Sequence, residues 1–153
     1  MAWCFSVNRG IKRDALRSVQ YAAQLFDRPK RFVWIYPQGI MQPNDTRPLR
    51  FASGAARIIS IAGRPVQVLP FAHRYEFSNE QRPDAFTLFG TPIVVTTPCV
   101  VTALTRTLET TVTELLDRLR SDIVGASLEK YHILLRGRAS INVRLDHLRR
   151  MNY

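Results

Sequence analysis

Apolar residues recur at three- and four-residue intervals through Ile11, Ala15, Val19, Ala22 and Phe26, which predicts an amphipathic helix over residues 12–26 that ends before Pro29. The continuous apolar run that follows, Phe32-Val33-Trp34-Ile35-Tyr36, stops at Pro37-Gln38-Gly39 and predicts a buried strand delivering a polar loop. A second helix is expected over residues 53–62 and a strand over 65–71, so strand and helix alternate and the sheet is expected to be largely parallel. Short strands are expected at residues 86–89 and 93–95, separated by Gly90-Thr91-Pro92. Beyond Val100 the period changes. Leu104, Leu108, Val112, Leu115, Leu116 and Leu119 form one helical stripe, and Val124, Leu128, Tyr131 and Leu135 predict a second helix after it. Residues 136–150 read as a short basic helix at most. The fold class that follows is α/β: a mixed, largely parallel sheet flanked by helices over residues 1–100, and a helical C-terminal third over 101–153, in one domain.

Composition agrees with a packed domain, since 153 residues with 46% hydrophobic and 10% aromatic content can bury one core of ordinary size. The longest apolar stretch, residues 92–104, is broken by Pro98 and falls short of the roughly 20 residues a membrane span needs. No signal peptide is expected, because Asn8, Arg9 and Lys12 follow at once on the first apolar residues; the chain reads as cytoplasmic, or peripheral at the inner membrane face. Cys4 and Cys99 are isolated thiols that indicate neither zinc nor a disulfide framework, and no metal or resident cofactor is implied.

The net charge of +10 is uneven: residues 1–64 hold 11 Lys/Arg against 3 Asp/Glu, and residues 65–153 hold 11 against 9. A basic N-terminal half suits phosphorylated lipid, coenzyme A phosphates, an acidic carrier protein or an anionic membrane. It suits nucleic acid by charge alone, but no nucleic-acid-binding motif is present and nucleic acid is not an expected partner. Only Lys12, Lys30 and Lys130 are lysines, so an arginine-rich composition is a second source of the charge.

The charge gathers where the chemistry does. After the Pro37-Gln38-Gly39 stop come Arg47, Arg50 and Phe51, then Ser53-Gly54-Ala55-Ala56-Arg57 opening a helix, an order that places arginines and backbone N–H groups where an anion could sit. This succession resembles the glycerolipid acyltransferases, the 1-acyl-glycerol-3-phosphate acyltransferase family. Tyr36-Pro37-Gln38-Gly39 is similar to their third motif, with Gln38 in place of a glutamate. Phe5-Ser6-Val7-Asn8-Arg9 is similar to their second, and Val66-Gln67-Val68-Leu69-Pro70-Phe71 to their fourth. The resemblance covers residues 3–100 and implies substrate-binding roles. Arg9, beside Asn8, would hold the acceptor phosphate. Tyr36, Pro37, Gln38 and Gly39 would shape the acceptor turn, and Arg47 and Arg50 would assist phosphate or coenzyme binding.

The family's first motif, a His, four residues and an Asp, lies upstream of the second; here the second begins at residue 5. The positions five beyond His73, His132 and His147 are Ser78, Gly137 and Asn152. The general base that would take the acceptor hydroxyl's proton is therefore not carried by this chain, no catalytic residue is assigned, and the N-terminal part of the family fold is expected to be missing. The function implied is transfer of a fatty acyl group from acyl-CoA or acyl-carrier protein to a lysophospholipid or similar alcohol. The alternatives are an inactive lipid- or carrier-binding fragment of that family and, with least support, a basic nucleic-acid-binding domain.

Overall fold

The computed structural model describes residues 11–77 and 83–135. Asn8, Arg9, Cys4 and the basic tail over 136–150 lie outside the described residues.

Helix α1, Lys12–Gln24, runs into a 3₁₀ turn at Leu25–Asp27, close to the span its period predicts. Its two smallest inward residues, Ala22 and Ala23, are buried, and with no bulk at the contact they let α1 lie against helix α2, Gly54–Ala62, at Ile58. Helix α2 starts after Ser53 and ends at Gly63, whose φ of +64° is the left-handed cap conformation that glycine adopts without a Cβ penalty. The other side of α2, through Ala56 and Ile59, meets Leu104 and Leu108 of helix α3, Val101–Val124, together with Val66 and Val95. Cys99 packs at the margin of this cluster as a small apolar group. Four of the six threonines of α3, 105, 107, 111 and 113, donate their hydroxyls to the carbonyl four residues back at 2.7–3.1 Å. Among the described residues no helix is long and apolar enough to cross a membrane.

The expected largely parallel sheet does not form. Strands β1, Val66–Val68, and β2, Phe71–Glu76, pair antiparallel with β4, Ile93–Val95, and β3, Asp84–Phe89, respectively. The registers are Val66↔Val95 to Val68↔Ile93, and Phe71↔Phe89 to Glu76↔Asp84. Between the ladders stand Leu69 and Pro70 on one strand and Gly90, Thr91 and Pro92 on the other, joined by Gly90 N–H donating to Pro70 C=O at 2.9 Å. The two ladders are thus halves of one bent hairpin with an extra residue at its centre, where two prolines remove ladder donors. Physically, the nearest strand in sequence returns and pairs antiparallel, whereas a parallel partner requires a crossover and a second strand to receive it. Residues 32–36, expected to be that second strand, join no ladder.

The second C-terminal helix is also replaced. Helix α3 stops at Gly125, Ser127 N–H donates to Asp122 C=O at 2.9 Å, and residues 125–135 continue as turns and irregular chain. Asp122 then draws the chain back by accepting from Lys130 Nζ and the Tyr131 hydroxyl, each at 2.6 Å.

Candidate functional site

Tyr36-Pro37-Gln38-Gly39 forms a β-turn: Gly39 N–H donates to Tyr36 C=O at 3.1 Å, with proline in the second position and glycine in the fourth. Gly39 has φ +67°, so the chain leaves the turn in a conformation that suits glycine. Gln38 Nε2 donates to Gln42 Oε1 at 3.4 Å, within the same loop. The loop closes on itself where Ala52 N–H donates to Pro37 C=O at 2.9 Å, so residues 37–52 form a compact surface loop with adjacent ends. Leu49 is buried beneath it.

Three carboxylates tie the loop to the body of the domain. Arg47 Nη2 donates to Asp117 of α3 at 2.5 Å, while its Nη1 donates to Thr46 C=O at 2.9 Å. Glu109 of α3 accepts the backbone N–H groups of Arg50 at 2.8 Å and Phe51 at 3.2 Å. Asp45 accepts two bonds from Arg74, at 2.8 and 3.3 Å, and stands 3.5 Å from Arg120. Arg74 is only 6% exposed and also pairs with Glu76. The Arg74 hydrogen bond first, and then the charges of Arg74, Arg120 and Arg47, hold the Asp45 carboxyl below its ordinary range. Of the residues expected to receive an anion, Arg47 is therefore committed to Asp117, and the backbone entering α2 is committed to Glu109. The Arg50 side chain stands exposed, on a residue with φ +55°.

The second feature of the region is apolar. Along residues 32–36, Val33 and Ile35 pack on the α1 and α2 cluster, while Phe32, Trp34 and Tyr36 face outward; the run expected to be buried is buried on one side only. Trp34 is 53% and Tyr36 62% exposed. Trp34 lies on Phe71 of β2 with ring centroids 4.3 Å apart. Tyr36 meets Phe71 edge-on at 5.9 Å, and Phe71 continues to Phe89 of β3 at 6.2 Å. Four rings from three segments thus form a continuous outward strip that begins at the Pro37-Gln38-Gly39 turn.

His73, two residues along β2 from Phe71, belongs to the same hairpin face. Its Nδ1 lies 2.8 Å from Thr87 Oγ1 and its ring is edge-on to Tyr75 at 4.5 Å. Burial pushes the imidazole below its ordinary pKa. It is held by a hydroxyl, not by the carboxylate that orients a catalytic imidazole.

Sequence reasoning brought Tyr36, Pro37, Gln38, Gly39, Arg47 and Arg50 together, and the structure places all six on or at the base of one loop. It missed Glu109, Asp117 and Arg74. A signal existed in the four-residue spacing of Glu109, Thr113 and Asp117 on α3, and in Arg74 occupying an inward strand position between Ala72 and Glu76. Compared with known proteins, the chain matches no family model, no curated protein and no solved structure.

Proposed function

We propose that this chain binds anionic lipid molecules carrying an acyl chain, of the lysophospholipid class, along the strip formed by Trp34, Tyr36, Phe71 and Phe89. The contiguity of that strip carries the reading: rings in mutual contact at the surface offer an apolar bed with polar edges, which an acyl chain and its headgroup would match. The exposed Lys30, Arg31 and Arg50 flank the strip in sequence and supply charge for the phosphate. The chain then works as a peripheral protein at a cytoplasmic membrane face. The resemblance of Tyr36-Pro37-Gln38-Gly39 to glycerolipid acyltransferases points to the same ligand class. Transfer from acyl-CoA or acyl-carrier protein is the further activity to assay, and binding does not depend on it.

The test uses a Trp3→Phe variant, which leaves Trp34 as the sole tryptophan of the two in the sequence. Lysophosphatidic acid, kept monomeric, is expected to shift Trp34 emission to the blue with saturation, and Phe89→Ser is expected to weaken that response. An unchanged emission spectrum, with no heat of binding by calorimetry, sinks the reading. Adding labelled acyl-CoA to the same mixture asks whether phosphatidic acid forms. An oligonucleotide that displaces the lysolipid would turn the assignment to nucleic acid.

A further inference from the structure

Ile40 and Met41 stand at the tip of the 37–52 loop, 65% and fully exposed respectively, directly after the Gly39 turn. Two adjacent large apolar side chains on a slack loop would fold back onto the protein. This loop is pinned instead. Besides the Pro37–Ala52 closure and buried Leu49, Asn44 Nδ2 donates to Tyr75 C=O at 2.6 Å, Asp45 is gripped by Arg74, and Arg47 by Asp117. The anchors lie on β2 and α3, so the tip is held out by the body of the domain. Tyr36, at the base of the same turn, joins the tip to the ring strip.

We propose that Ile40 and Met41 are an insertion wedge that enters the interfacial layer of an anionic phospholipid bilayer, with Tyr36 and Trp34 at headgroup depth. The occupant follows from charge as well as from apolarity: the N-terminal 64 residues hold 11 basic against 3 acidic side chains, and Arg50 is exposed at the far end of the loop. An apolar point on the basic half of the chain fits an anionic bilayer, where headgroups meet exposed cations such as Lys30, Arg31 and Arg50 and hydrocarbon meets the tip. A partner protein's apolar pocket would leave that charge unused. The inference rests on the lipid-binding reading and extends it from a single lipid to a surface.

The full chain is tested by co-sedimentation with vesicles of phosphatidylglycerol and phosphatidylcholine, and with phosphatidylcholine alone. Full burial of an aliphatic side chain is worth more than one decade in affinity, so Ile40→Ser/Met41→Ser is expected to weaken partitioning onto the anionic vesicles roughly tenfold or more. Its circular dichroism and its lysophosphatidic acid response at Trp34 should stay unchanged. Met41→Trp is expected to partition more strongly than the native chain. Unchanged partitioning of the double variant overturns the wedge. So does a native dimer that the double variant dissolves and vesicles leave intact, which would make a second copy the occupant. Vesicle binding that depends on the tip, without any lysolipid response, would instead remove the single-lipid reading and leave the wedge standing; a native chain that binds neither removes both.

Discussion

Replacing Arg74 separates what its charge contributes from what its stem contributes. The side chain is 7% exposed, but its partners reach water: the Asp45 and Glu76 side chains are 56% and 31% exposed. Removing the guanidinium therefore leaves two carboxylates that can be hydrated, which is the mild way to break a half-buried pair. The severe way strands a buried charge. Arg74→Met keeps the buried apolar stem and is expected to cost about 1 kcal/mol or less, because the lost ion pairs are largely offset by the desolvation they required. Arg74→Ala also deletes the stem beyond Cβ, two buried methylenes at roughly 0.8 kcal/mol each, and together with the ion-pair loss is expected to cost about 2 to 3 kcal/mol.

Urea denaturation followed by far-ultraviolet circular dichroism at neutral pH measures both variants. Equal losses of about 3 kcal/mol would refute the reasoning, since the charge and not the stem would then dominate. The pH dependence gives a second reading. Asp45 has a folded pKa below its ordinary 3.8, so its contribution is complete above that value and is lost as pH falls through the lower folded pKa. The stability gap between the native chain and Arg74→Met should therefore narrow as the pH is taken below about 4.

Tyr131 has its phenol pushed up to about 12, by burial first and by donation to Asp122 second; this stabilisation is complete below the ordinary value of 10.0 and is lost as pH rises through about 12. Phenolate absorbance should show one late-titrating tyrosine that Tyr131→Phe removes, and a titration unaltered by that substitution would contradict the contact. Gly63→Ala places a Cβ at φ +64° at the end of α2 and is expected to lower stability by about 1 kcal/mol in the same denaturation assay.

Helices α1 and α3 were legible because a 3.6-residue period sustained over 13 and 24 residues identifies both the element and its inward face. Strand pairing was not. A period of two says which residues alternate, not which strand they meet, so Pro70 marked an end to the strand but nothing in Val66 to Phe71 showed that it folds back on Ile93 to Val95. The run at Phe32 to Tyr36 misled for a related reason: it is apolar at every position, so alternation could not show that Phe32, Trp34 and Tyr36 face outward. At the site, the turn at Gly39 could be read from proline and glycine placement. The partners of its arginines could not, since Asp117 lies 70 residues from Arg47 and Glu109 lies 59 from Arg50.

That internal pairing bears on how the loop would tell one ligand from another. With Arg47 paired to Asp117 and the N–H groups of Arg50 and Phe51 spent on Glu109, the cations that flank the ring strip in sequence, Lys30, Arg31 and Arg50, are exposed side chains, whose pull on a phosphate is modest and screened by salt. Discrimination should then come from the acyl chain. Each methylene laid fully on the rings contributes about 0.8 kcal/mol, so two added carbons should raise affinity by roughly tenfold until the chain outruns the strip. Calorimetry across a series of lysophosphatidic acids, repeated at low and high salt, measures both dependences. Affinity indifferent to chain length but falling steeply with salt would mean that the headgroup alone is recognised. The exposed rings would then have no part in binding, and a polyanion would become the better ligand.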